Sequence, residues 1–293
     1  MKEKTSPQKQ IIDLCEKIYP KKITSNSLKI PSSDSELIYF AQKNRLIHFL
    51  ALTYQSDSFY SQYAKEFRSY TDAIIKSLQI LSRITDLSEL LVIKTISSYP
   101  HDTSDLDILV KNHQKAEEVK KMIQDKQIHF PFDTDINFKI SWTDSEEVSN
   151  TYIWSHVKRI EFNGMKIFVP NPELDVLIRV AHMPFELAEV RLGELMHIYN
   201  QSKNIRWDEL EKEAQDNNWE KTFHHITALL NELHTLLYDE PWHAKLQRGK
   251  KQNSPLQFPI SVPYSILARA VIEKRAWKKL WGARYILKDR LGL

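Results

Sequence analysis

"SDLDILV", residues 104–110, sets two aspartates one residue apart directly ahead of an apolar run. Side chains of a strand alternate between its faces, so Asp105 and Asp107 share one face while Leu106 and Ile108 share the other. Two carboxylates this close repel each other, and burying even one is costly unless a cation compensates. A hard divalent ion such as magnesium, or manganese in its place, suits adjacent carboxylate oxygens and takes further ligands from substrate phosphates. The plainer alternative is that both aspartates only solvate a turn. A second run, "DTDINFKISW" at 133–142, weighs against it, because Asp135 again heads an alternating strand pattern. A third carboxylate on a neighbouring strand would complete a two-metal site. Asp133, on the same face as Asp135, competes for that role.

Around these two runs the text between residues 89 and 170 is strand-like. "ELLVIKTI", "VKRIEFN" and "MKIFVP" are short and rich in β-formers, and one helix, "NHQKAEEVKKMIQDK", lies among them. Asn163-Gly164 between two such runs predicts a two-residue hairpin turn, since both positions need positive φ. On either side the period changes to that of helices. Before the sheet come a short helix near Ile11–Ile18, then "DSELIYFAQKNRLIHFLALTY" and "FYSQYAKEFRSYTDAIIKSLQILSRI". After it come "NPELDVLIRVAHM", "ELAEVRLGELMHIYNQ", "RWDELEKEAQDNN" and "EKTFHHITALLNELHTLLY", then a proline-rich loop and a basic final stretch. The expected fold class is α+β: a helical region over 1–88, a small mixed sheet over 89–170 and a second helical region over 171–293.

Composition narrows the chemistry. With 42% hydrophobic and 27% charged residues and a net charge of +3, the chain reads as an ordinary globular protein. Its only cysteine, Cys15, rules out an internal disulfide and a cysteine metal cluster and suits a reducing cytoplasm, the expected location. No signal peptide and no long uninterrupted apolar run is found, so no transmembrane segment is expected. The five glycines stand ten or more residues apart, which excludes the glycine-rich phosphate loops.

The stretch from "LLVIKT" through "SDLDILV" to "DTDIN" resembles the nucleotidyltransferase superfamily typified by DNA polymerase β. That pattern is a strand, a Gly-Ser or Gly-Gly pair, a spacer, an Asp-hydrophobic-Asp-hydrophobic strand and a third Asp on a later strand. Lys94-Thr95 stands where the glycine pair belongs, so Lys94 departs from the pattern while Thr95 keeps a hydroxyl. A closer likeness is to nucleotidyltransferase-like proteins of the NTP_transf_5 type. It rests on "AQKNRLIHFL", "LVIKT", "DINFKISW" and "VPNPELDVLIRVAHMPFE" and covers roughly residues 35–200. The resemblance implies Asp105, Asp107 and Asp135 as catalytic metal ligands, with Thr95 and Ser104 as phosphate contacts. The implied cofactor is Mg2+ (or Mn2+). It further implies ATP or another NTP as substrate and a hydroxyl of an RNA end, protein or small molecule as acceptor. The alternatives are a catalytically idle member of the same fold that binds nucleotide, RNA or a protein partner, and a manganese-dependent glycosyltransferase. The order of strand and acidic pair disfavours the second.

Other residues are weighed on their surroundings. Lys94, Lys111 and Lys139 flank the acidic strands and could neutralise a triphosphate, against the commoner role of solvated edge lysines. Lys94 is the best of them, and with His182 it joins Thr95 and Ser104 as an expected nucleotide-binding residue. A satisfied core histidine is the competing outcome for His182, and a polar loop residue for His101. His224, His225 and His234 read as helix surface. The segment from Glu273 to Leu291 interleaves lysines and arginines with Trp277, Trp281 and Tyr285. That composition suits RNA, an anionic membrane surface or a packed last helix.

Overall fold

Alternation between Leu90 and Pro170 produces a five-stranded mixed sheet, whose two faces are both covered, and a separate two-stranded ribbon. The computed structural model describes residues 35–54, 58–96, 103–142, 145–186, 189–202, 205–238 and 260–261. The expected helix near residue 11, His101 and the basic aromatic segment lie outside them. The helices before the sheet are α1 (Ser35–Lys43), α2 (Ile47–Thr53) and α3 (Ser58–Leu81). The middle of the chain holds β1 (Leu90–Ile93), β2 (Leu106–Val110), α4 (His113–Asp125), β3 (Thr134–Asn137), β4 (Ile140–Trp142), β5 (Ser145–Val148), α5 (Asn150–Ser155), β6 (Val157–Phe162) and β7 (Met165–Pro170). After it come α6 (Pro172–Glu186), β8 (Glu189–Val190), α7 (Leu192–Gln201), α8 (Trp207–Asp216), α9 (Glu220–Tyr238) and β9 (Ile260–Ser261).

The five-stranded sheet runs β3-β2-β1-β7-β6. Its β1 pairs antiparallel with β2 and parallel with β7, and β2 pairs parallel with β3. Asn163 (φ 48°) and Gly164 (φ 77°) close the β6–β7 hairpin across Phe162 and Met165, as the sequence predicts. One face of the sheet, carrying Leu90, Val92, Leu106, Ile108 and Ile136, packs on Leu78 and Leu81 of α3 and on Ala116 and Val119 of α4. The other, carrying Leu91, Ile93 and Leu109, packs in a core with α1, α2, α6, α7 and α9. Helix α3 serves both, with Tyr60 and Ala64 in the second core and Leu78 and Leu81 in the first. Among the described residues no helix is long and apolar enough to cross a membrane.

Local structure departs from the sequence reading in five places. A second helix, α5 (Asn150–Ser155), lies within 89–170 where one was expected, started by Ser149, whose Oγ accepts from Tyr152 N–H. The helical text 34–54 breaks into α1 and α2, because Asn44 turns the chain. Leu46 N–H donates to Ala41 O and Arg45 N–H to Gln42 O, the Schellman closure, with Arg45 at φ 57° in the position usually held by glycine. "DTDINFKISW" divides into β3, in the large sheet, and β4, which pairs with β5 in a separate ribbon. "ELAEVRLGELMHIYNQ" supplies the short β8 before α7 starts at Leu192. Lys94 lies beyond the strand, which ends at Ile93.

Candidate active site

The alternation that buries Leu106 and Ile108 on one face turns Asp105 and Asp107 towards the other, where α6 packs. Parallel pairing sets Asp107 directly beside Asp135 of β3. Carboxylate oxygens of Asp105, Asp107 and Asp135 lie within 4.8 Å of one another. Asp133 stays outside the group; its carbonyl accepts from Leu106 N–H and helps hold β2 against β3.

At the end of β1 the chain makes a γ-turn: Thr95 N–H donates to Ile93 O, two residues back, with Lys94 between them at φ 55°. Such a turn is strained for any side chain other than glycine. It has two consequences for the site. Thr95, expected as a phosphate contact, is buried instead. Its hydroxyl donates to Asp105 O and accepts from Asp107 N–H, so it continues the β1–β2 ladder where the backbone has left it. Lys94 is directed across the sheet end, its ammonium 2.9 Å from Asp107 Oδ2 and 2.8 Å from His182 Nε2.

Asp107 is held above the usual carboxylate range. Burial is the main cause, Lys94 opposes it, and Asp105 and Asp135 add to it. Burial thus outweighs the ammonium beside Asp107. His182 is pushed well below the ordinary histidine range, first by burial and then by Lys94, so its neutral imidazole accepts the Lys94 hydrogen bond at Nε2.

Helix α6 brings the opposite wall. Asp175, Arg179 and His182 recur along one of its faces. Arg179, 3% exposed, donates Nε to Asp175, one terminal nitrogen to Glu194 at 2.9 Å and the other to the Lys94 carbonyl at 3.0 Å. Asp175 also accepts from His197 Nε2 at 2.6 Å. Burial would raise the Asp175 pKa, but Arg179 and His197 outweigh it and hold the carboxyl far below its usual range. His197 is kept neutral by burial and by Arg179. The network fixes the carbonyl of the strained turn from the far side of the cleft.

The cleft between these walls is lined by Asp105, Asp107, Thr103 and Ser104 on one side and by Lys94, Arg179 and His182 on the other, with Arg45 and Glu194 closing it. Ser104 Oγ donates to Asp105. Lys111 and Lys139 do not line it; their ammonium groups lie over the rings of Trp154 and Phe138. The sequence reading missed Arg45, Arg179 and Glu194. Arg179 leaves a trace, a lone charge inside "DVLIRVA", which demands a buried partner; Arg45 shows only as polar residues interrupting a helical period. His234 is buried instead of lying on the surface, and His224 Nε2 donates to Glu211 at 2.8 Å, clipping α8 to α9.

No protein-family model, curated protein or solved structure matches the chain.

Proposed function

We propose that the protein is a metal-dependent nucleotidyltransferase, built on a nucleotidyltransferase-type core, that moves an NMP from an NTP to a hydroxyl acceptor. The observation that carries this reading is the convergence of Asp105, Asp107 and Asp135 within 4.8 Å, with Asp107 largely shielded from solvent and held above the usual carboxylate range despite Lys94. The donor set fits a hard divalent ion: all ligands are carboxylates, and the excess negative charge favours a cation. Asp105, Asp107 and Asp135 would hold Mg2+ or Mn2+. Bound there, the ion supplies Lewis-acid polarisation of the α-phosphate and acidifies the acceptor hydroxyl.

The chain's own groups have separable parts in the reaction. The acceptor oxygen forms a bond to the α-phosphorus as the bond from that phosphorus to the bridging oxygen breaks, and pyrophosphate leaves. The acceptor proton passes to Asp135, the exposed member of the acidic group. Lys94 neutralises charge on the phosphates, and neutral His182 holds its ammonium in place. Ser104 lies at the cleft mouth, within reach of a phosphate oxygen.

The test is a thermal shift with each NTP in magnesium and again in chelator, because a ligand bound only by the native state raises its stability. The expected result is a magnesium-dependent rise for at least one NTP, lost in Asp105→Asn and Asp107→Asn together with any transfer. Transfer by those variants at the wild-type rate overturns the reading. The second reading, an idle nucleotide-binding protein of the same fold, is favoured by the Lys94–Asp107 ion pair, which already gives the acidic group one cation. Magnesium-independent NTP binding would select it.

A further inference from the structure

Three cationic side chains line the cleft, and they differ in what they already hold. Arg179 directs all its guanidinium nitrogens at Asp175, Glu194 and the Lys94 carbonyl, and is buried. Lys94 sits between Asp107 and His182. Arg45 is 25% exposed and makes one long side-chain contact among the described residues, 3.5 Å to Glu194 Oε1. Glu194 Oε2 is meanwhile held by Arg179 at 2.9 Å, so Glu194 stays paired if Arg45 swings away.

The backbone around Arg45 is fixed from a second, distant segment. Asn44 Oδ1 accepts from Leu192 N–H at 3.0 Å, and Asn44 O accepts from Gly193 N–H at 3.1 Å. Those are the first amides of α7, whose own N-cap residue, Arg191, offers no side-chain cap. A Cβ at residue 193 would stand 2.6 Å from Asn44 O, so only glycine lets the segments approach this closely. Left-handed backbone alone does not mark a site here, because Gln127 takes the same helix-ending position, at φ 49°, outside the cleft. What distinguishes Arg45 is the combination: a rigidly held backbone, a guanidinium in the cleft, and a partner that does not depend on it.

We propose that Arg45 binds the outer phosphates of the incoming NTP, leaving Glu194 to form a forked pair with phosphate oxygens beyond the α-phosphate. This rests on the nucleotidyltransferase reading. It assigns the acidic group to the reacting phosphorus and Arg45 to the leaving pyrophosphate, whose negative charge grows as the bond breaks.

The test measures equilibrium binding of ATP, GTP, CTP and UTP, and of the matching NMPs, in magnesium, to the full chain and to Arg45→Gly and Arg45→Lys. Glycine suits φ 57°, so Arg45→Gly should melt at or above the wild-type temperature. For the NTP that the wild type binds, Arg45→Gly is expected to bind roughly ten- to a hundredfold more weakly, with NMP affinity unchanged and Arg45→Lys intermediate. NTP affinity equal to wild type in Arg45→Gly overturns this proposal alone and leaves the proposed reaction standing. Equal losses of NTP and NMP also overturn it, since the residue would then shape the cleft without contacting outer phosphates. A wild type that binds no NTP overturns both.

Discussion

His197 shows how much of the site's stability depends on keeping protons out. Its imidazole is buried and neutral in the folded chain, with a pKa below the 6.5 of the unfolded one. Above that pH neither state is protonated at this residue and its contribution to stability is intact. As pH falls through it, the unfolded chain takes up a proton that the folded chain refuses, so stability declines towards the folded pKa. The decline is about 1.4 kcal/mol per pH unit for one such group. Melting temperature should therefore drop between pH 7 and pH 5, and His197→Gln, which keeps a donor for Asp175, should flatten that slope. A slope unchanged in the variant would show that other groups set it. Asp105 and Asp107 were legible because strand alternation is a strict local rule. The Lys94 turn was not: Ile93 and Lys94 read as one strand, and the left-handed φ follows from where Arg179 and Asp107 await its carbonyl and ammonium.

Among the elements, the α1–α2 turn and the start of α7 depend most closely on each other. Asn44 does for α7 what an N-cap normally does, but from a segment about 150 residues away. Gly193→Ala would drive a methyl group into Asn44 O, which is backbone and has little freedom to retreat. The expected loss is about 1–3 kcal/mol, read as a lower midpoint in urea. Because the same turn carries Arg45, nucleotide affinity should fall with it. At this scale the sequence was legible in kind and illegible in its breaks. The strands of the large sheet, α4 and the Asn163-Gly164 hairpin follow from periodicity and turn chemistry. The split of 133–142 between two sheets and the break after Lys43 follow from partners far along the chain, which periodicity does not record.

For the molecule as a whole, the central sheet makes its two cores mutually dependent. Leu90 and Leu91 are adjacent in sequence, yet the first faces the core with α4 and the second the core with α6. Truncating either to alanine should cost about 2–5 kcal/mol. If the sheet couples the two sides, both variants will unfold in one transition, coincident by far-ultraviolet dichroism and tryptophan fluorescence. Two separated transitions in either would show that the cores melt independently. The α+β class was readable from the change of period along the chain; the two-sided covering was not, since β1 is a continuous apolar run in which alternation is hidden.

The bond from Arg179 to the Lys94 carbonyl has a bearing on the order in which the protein is made. When synthesis has just passed β7, Asp105, Asp107 and Asp135 are all in the chain, while Arg179, His182 and Glu194 have yet to be added. A nascent chain at that stage carries the carboxylates with no wall opposite them and lacks the Arg179 bond to the Lys94 carbonyl. The cleft is completed only with α6 and α7, so the wall carrying Arg179, His182 and Glu194 arrives later in synthesis than the acidic groups it faces.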